Sequence, residues 1–502
     1  MSNQRAGTDR TPSETEWLRV NDYLKRYRYE LAVRAAKGYP GDASVAGTPL
    51  LAAPAWLPPQ PVPLDEVSLT FSPAAPVPRC TDIAGIAPAL FPERSSGLSY
   101  RHHSEAMRDL AAPAIFENRT LYRLVGADLA GEHPQLAFTL GRFFDGVDIG
   151  GAAAHEHAAA ELGLADGLPL RAAIKDPCDL TARSATMAVG ALTLRFDRAT
   201  GMASFPLHYR DPARVSHAGG MFQVIPVGIF QPSGEAPWNV DNDFSLWRGL
   251  LREYAEELLG AAEDHGSERA PIDYANWPLA ARMTEALADG RIRAWCLGLG
   301  TDPLTFAMDL LTVVVIDAPL YDELFSGIVT ENGEGTVLAS RPFDEATVSE
   351  LISGHPVQAA GAALLRLAIA SKDVLLGQLR CRARYQPRSA HSRRCGRSAP
   401  TVVSPPWPGA AALGGEHQHP SAEDAGSAFR VVRQQDEVLV AGERLGNAVV
   451  LVGGEQDVGP VSAGDDDVHG VGEVKGTGLP ALALHLASVA LDKDRRLRVV
   501  LG

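Results

Sequence analysis

The sequence predicts an α/β protein, and three observations carry that expectation. The 502-residue chain has 45% hydrophobic and 21% charged residues, the balance of an ordinary globular protein with room for two or three domains. Strand and helix signals alternate densely over residues 185–379, as in a single α/β domain. After Leu379 the pattern stops abruptly and an Arg-rich, then Gly- and Asp-rich, tail begins.

In chain order, a helical apolar stripe runs over residues 16–36 through Trp17, Val20, Leu24 and Leu31, with Ser13 and Glu16 reading as a capping box. Its basic residues fit a solvated face of a docking helix, since one helix is not a helix-turn-helix. A Pro/Gly/Ala-rich linker follows to residue 64, closing an N-terminal segment 1–64. Residues 65–184 read as an α+β region: a strand at 65–72, a Pro-rich loop at 73–92, a helix at 103–110, strands at 120–125 and 135–144, and a helix at 151–162. That last helix holds His155-Glu156-His157. Residues two apart point to different helix faces, so the two histidines cannot chelate one ion, and the triplet is expected on the surface.

From residue 185 the signals sharpen. A hairpin is expected from strands at 187–196 and 202–209, then a strand at 221–230 and a Pro/Gly/Asn-rich loop at 231–242. Asp243 is positioned to cap a helix at 244–259. A helix at 278–289, strands at 291–299 and 310–316, and helices at 320–329, 345–353 and 357–376 complete the set. In the tail, the apolar strings at 437–440 and 448–452 have strand length, while the remainder of 380–502 is expected to be irregular and disordered. A shifted reading frame in a GC-rich gene would produce such a change of character, in which case residues 381–502 are not a natural extension.

Several function classes are disfavoured at this level. A net charge of −15 works against an extended nucleic-acid interface, which needs a basic footprint, although a local patch is compatible with it. No apolar run approaches the roughly 20 residues of a spanning helix, and the polar start lacks a secretory segment, so a cytoplasmic location without membrane association is expected. Cys80, Cys178, Cys296, Cys381 and Cys395 are too scattered for a zinc ribbon or a disulfide framework. No phosphate-cradling GxxxxGK[ST] or GxGxxG loop is present. Ser216-His217 lacks an acid partner, and Asp302-Pro303 reads as a turn, with Asp309 nearby as a possible cleft residue.

The chemistry-bearing feature is Arg252-Glu253-Tyr254-Ala255-Glu256-Glu257. Helical spacing of i, i+3 and i+4 places Glu253, Glu256 and Glu257 on one face, where three carboxylates repel unless a cation neutralises them. Oxygen-only ligands suit Mg2+ or Mn2+. Arg252 is placed to orient a glutamate through a bidentate pair. Leu246, Leu250, Leu251, Tyr254 and Leu258 give the helix an apolar face for the core.

The string Arg-Glu-x-x-Glu-Glu resembles the centre of the Nudix box. Gln223-Val224-Ile225-Pro226-Val227-Gly228 resembles the strand and turn that lead into the box, and Gly234-Glu235 resembles the acidic turn after it. The resemblance covers residues 185–377. Counted from Arg252, the box glycine falls at Trp238, the early glutamate at Phe244 and the late glycine at Leu259, and Tyr254 takes an aliphatic position. What the resemblance implies is a Nudix-like α/β/α sandwich over 185–379. It further implies Glu253, Glu256 and Glu257 as ligands of Mg2+ (or Mn2+), Glu257 and Arg252 as the residues serving catalysis, and hydrolysis of a nucleoside diphosphate-linked substrate. The chain is also similar to actinobacterial proteins described as transcriptional regulators, which implies the alternative of a non-catalytic domain sensing a nucleotide-type small molecule.

Overall fold

The computed structural model describes residues 10–113, 115–211, 219–263, 265–331 and 335–377, together with the backbone of five strands between 429 and 501. The chain divides into two compact units, residues 1–390 and 391–502. The first unit contains β1 (Val62–Pro63), β2 (Ser68–Phe71), β3 (Thr120–Asp128), β4 (Gln135–Arg142), β5 (Met187–Phe196), β6 (Ala203–Arg210), β7 (Phe222–Gln223), β8 (Val227–Ile229), β9 (Ile292–Thr301), β10 (Met308–Asp317) and β11 (Gly335–Pro342). Its helices are α1 (Pro12–Arg26), α2 (Arg28–Ala36), α3 (Ile83–Ile86), α4 (His103–Leu110), α5 (Phe143–Glu161), α6 (Pro169–Ile174), α7 (Trp238–Asn242), α8 (Leu246–Glu253), α9 (Pro278–Ala288), α10 (Ala318–Leu324), α11 (Glu345–Gly354), α12 (Ala359–Ala370) and α13 (Lys372–Gly377). The protein is of the α/β class.

The main sheet runs β1-β9-β10-β5-β6-β11, with β8 pairing onto β5 and β7 onto β6. β5 and β10 are parallel, and the other pairings are antiparallel. Helices cover both faces, which is why β9 and β10 are buried along almost their whole length and read as continuous apolar runs. Strand alternation sorts the faces. Thr193 lies level with Val314, and its hydroxyl is 2.8 Å from Tyr254 Oη of the segment following α8; Tyr254 in turn stacks on Phe325 beyond α10. Arg293, level with Val315, projects the other way and donates to the Leu375 carbonyl in α13. A second sheet, β2-β4-β3, shares the same apolar core, which runs without a break from Leu50, Trp56 and Phe138 to Leu192, Val313 and Leu365.

Several elements depart from the sequence reading for local reasons. The first helix is two helices, interrupted at Tyr27 (φ −116°, ψ 26°). Its capping box is Thr11 with Glu14 rather than Ser13 with Glu16, because Pro12 occupies the first helical position. The strand expected at 221–230 is broken around Ile225-Pro226 into β7 and β8. α5 begins at Phe143, well before residue 151, and the helix at 357–376 divides into α12 and α13. β11 was not anticipated.

The His155-Glu156-His157 triplet is not on the surface. His155 and Glu156 are buried. Glu156 accepts from the backbone N–H groups of Leu170 (2.7 Å) and Arg171 (3.0 Å), capping α6, while His155 stacks on Trp17.

The second unit contains β12 (Phe429–Gln434), β13 (Glu437–Gly442), β14 (Val450–Gly453), β15 (Leu486–Leu491) and β16 (Leu497–Leu501), in sheets β12-β13-β14 and β15-β16. The two tail strings of strand length are β13 and the core of β14. The Arg-rich stretch at 380–397, the rest of the expected irregular tail, Ser216-His217, Cys381 and Cys395 lie outside the described residues. Cys80, Cys178 and Cys296 are free thiols. Among the described residues no helix is long and apolar enough to cross a membrane.

Candidate functional site

α8 starts two residues later than expected, at Leu246, capped by Ser245, whose hydroxyl accepts from Arg248 N. Asp243 is not the cap. The helix then changes winding, and Tyr254–Leu258 is a π-type turn. Such segments are short and often occur at functional positions. Here the change of winding separates carboxylates that uniform α spacing would group.

Glu253 and Glu257 both reach β8. Glu257 is buried, and its Oε1 accepts from the Val227 backbone N–H at 2.9 Å. Its Oε2 is 3.6 Å from Nδ1 of His208, a buried residue of β6. Glu253 lies directly over Gly228: a Cβ at that position would stand 1.8 Å from the Glu253 carboxyl carbon. Any side chain at 228 would displace that carboxylate from its present position. Glu256 turns elsewhere, its Oε1 2.8 Å from Nε2 of His265, whose ring packs against Trp277.

Arg252 is almost fully buried, and the hydrogen bonds of its guanidinium go to Tyr274 and to the loop before α8. Nη1 donates to Tyr274 Oη (2.7 Å) and Nη2 to the Gln231 carbonyl (2.6 Å), with Asp243 Oδ1 3.5 Å from Nη1. Tyr274 Oη donates to Asp243 Oδ1 at 2.8 Å, and the other Asp243 oxygen accepts from Ser233 N and Oγ at 2.7 and 2.6 Å. Burial alone would lower the Arg252 pKa, but Tyr274 and Asp243 outweigh it and the net shift is upward. Burial first, then Asp243, pushes the Tyr274 phenol up, so it remains a donor. The expected bidentate pair with a glutamate is replaced by a clamp on the loop between β8 and α8.

The glycine beside the carboxylates is Gly228 rather than a residue at 238. The excursion from Gln231 to Asp243 is pinned at many points: Tyr122 Oη donates to the Val240 carbonyl (2.8 Å), Asn242 Nδ2 to Ile272 O (3.1 Å), and Trp238 Nε1 and Asn239 Nδ2 both to Ser267 O (2.9 and 3.1 Å). Phe244, at the counted position of the early glutamate, packs against Phe138, Tyr122 and Phe230.

Among the described residues no group of three or more His, Cys, Asp or Glu side chains is arranged to hold a metal ion. A pair of carboxylates nevertheless fits magnesium, which typically takes one or two carboxylates and fills its remaining positions with water and substrate oxygens. Glu253 over Gly228 and Glu257 at Val227 N are the two of these carboxylates that lie against β8.

The remaining candidates sit apart. Asp302 forms the expected turn, its Oδ1 accepting from Leu304 N and Thr305 N. Asp309 points to the α12 side of β10, away from the helix that bears the glutamates. Burial, with Asp302 adding, pushes its carboxyl up to about 7 against the opposing effects of Gln358 and Arg210. Sequence reasoning did not single out His208, His265, Tyr274 or the structural part of Asp243; only the Pro-Val-Gly turn at Gly228 carried a signal. The chain matches no family model, and no curated protein matches it significantly.

Proposed function

We propose that residues 185–379 form a Nudix-like domain that acts with Mg2+ (or Mn2+) on a nucleoside diphosphate-linked substrate. The observation that supports this most directly is the convergence of Glu253 and Glu257 on β8, with Gly228 bare beneath the Glu253 carboxylate. The bound ion would neutralise diphosphate charge and help to generate a water nucleophile. Glu253 and Glu257 would hold it, with Glu256 joining only on leaving His265. Glu257, fixed by the Val227 N–H, would keep its free geometry within narrow limits. Arg252 would serve catalysis indirectly, by holding the loop that borders the site.

The same reading takes a nucleotide-type small molecule as partner and the cytoplasm as location. The three cysteines among the described residues, Cys80, Cys178 and Cys296, are free thiols, which suits a reducing compartment. A non-catalytic ligand-sensing domain of a transcriptional regulator is the second reading. It is favoured by the contacts of Glu256 with His265 and of Glu257 with the Val227 N–H, which engage one oxygen of each carboxylate within the protein.

The test is to incubate the full chain with nucleoside diphosphate derivatives and Mg2+, following phosphate products and thermal shift together. Turnover that disappears in Glu257→Gln supports hydrolysis. A thermal shift without turnover supports sensing, and neither effect across a broad panel overturns both.

A further inference from the structure

His103 of α4 and His155 of α5 are each only 3% exposed, and their ring centroids are 5.8 Å apart. Nδ1 of each is enclosed and has no hydrogen-bond partner among the described residues. Buried polar atoms are nearly always hydrogen-bonded, so a core role alone does not account for two orphaned nitrogens on neighbouring rings. Neither imidazole belongs to the site proposed on β8.

The surrounding helices fix the pair. The start of α4 follows one face of α5: Ser104 N donates to Asp148 Oδ1 at 2.7 Å, and His103 lies over Gly151, where a Cβ would stand 2.5 Å from its Cδ2. His155 comes one helical turn after Gly151, on the same face. Trp17 of α1 covers both rings, with centroid distances of 5.5 Å to His103 and 5.0 Å to His155, and packs with Ala106, Ile149 and Ala152 in one apolar cluster. Burial lowers the pKa of both histidines, so each ring is neutral and keeps a lone pair.

Neutral imidazole is a common metal ligand. Metal–nitrogen bonds of about 2 Å, with part of a ring added at each end, put two opposed imidazoles at a centroid separation of roughly 6 Å. Opposed ligation leaves the angle between the ring planes free, and it is 62° here. Among the described residues no third His, Cys, Asp or Glu joins them, so the four ligands of a structural Zn2+ are not provided. Two nitrogens under an aromatic cover suit instead a soft ion that accepts two ligands. We infer that His103 and His155 form a two-coordinate site for a soft monovalent cation of the Cu+ class, closed over by Trp17. The His155-Glu156-His157 triplet then supplies one ligand, and its partner comes from α4 rather than from two positions along the same helix.

The test loads the full chain with less than one equivalent of Cu+ under reducing, oxygen-free conditions and measures affinity by competition with a chromophoric Cu+ chelator. His103→Asn and His155→Asn should each weaken binding by at least about tenfold, while His102→Asn and His157→Asn stay within about twofold. Circular dichroism checks that the variants fold. X-ray absorption of the loaded wild type, which depends on no variant, should show two nitrogen neighbours at about 2 Å. Absence of binding by the wild type, sulfur neighbours in its spectrum, unchanged affinity in folded His103→Asn or His155→Asn, or an equal loss in His157→Asn overturns the inference.

Discussion

Replacing Arg252 by methionine removes the guanidinium from a closed interior network while keeping much of the side chain's apolar length. Two short hydrogen bonds, to Tyr274 Oη and Gln231 O, disappear, and Asp243, with no exposed surface, loses its cationic neighbour. Removing one partner of a buried ion pair costs about 3–5 kcal/mol. Asp243 keeps four donors, from Ser233 N, Ser233 Oγ, Tyr274 Oη and Asn242 Nδ2, so the loss should fall near the low end, about 3 kcal/mol. Asp243→Asn in the same background removes the stranded charge, so the double variant should be more stable than the sum of the two single effects by about 1 kcal/mol or more. Urea denaturation followed by circular dichroism and tryptophan fluorescence measures all three, and limited proteolysis should cut the 231–243 loop sooner in Arg252→Met. A loss below about 1 kcal/mol, or strict additivity, would refute the view that Arg252 serves as the clamp of this loop.

Other expectations follow from particular groups. Gly228→Ala places a methyl group where the Glu253 carboxylate lies, and should reduce Mn2+ affinity by more than about tenfold in calorimetry while the fold survives; unchanged affinity would separate Gly228 from the site. His103, pushed down to about 4 by burial, binds fewer protons in the folded chain than in the unfolded chain as pH falls from 6.5. Its contribution is present above 6.5 and lost as pH drops through 4, a change of about 3 kcal/mol, and His155, lowered by burial and by His103, acts in the same direction. Denaturation curves from pH 7.5 to 4.5 should therefore flatten in His103→Phe, and an unaltered slope counts against the buried pair. Asp309 has the opposite sign: its raised folded pKa gives stability that is present below about 4 and lost as pH rises through about 7. Asp309→Asn should consequently gain stability relative to wild type at pH 8 and not at pH 4, as read from the same curves.

Much of the architecture was legible because it rests on local pattern. The continuous apolar run of β10 and the hairpin signals of β5 and β6 express burial that repeats along one strand, and the apolar face of α8 expresses packing on one side of a helix. What was not legible depends on contacts between distant residues. Asp243 has the composition of a cap, but its oxygens are claimed by Ser233 and by Tyr274, thirty-one positions away. His155 and Glu156 look solvent-facing by type, yet α1 and α6 bury them. Helical spacing predicted one face for three glutamates; the π-type turn and the placement of His265 divide them, and neither leaves a mark on the spacing. Gly228 is set beneath Glu253 by the strand register with Val189, which spacing along the chain does not record.

The divalent-metal position proposed above rests on Glu253 and Glu257 rather than on all three glutamates. Calorimetric titration of Mn2+ into the full chain and into Glu253→Gln, Glu256→Gln and Glu257→Gln tests it most directly. The account predicts binding to the wild type, at least a tenfold loss in Glu253→Gln and Glu257→Gln, and a clearly smaller change in Glu256→Gln, consistent with a site built from one or two carboxylates. Binding that is unchanged in all three variants, or lost most severely in Glu256→Gln, would contradict it.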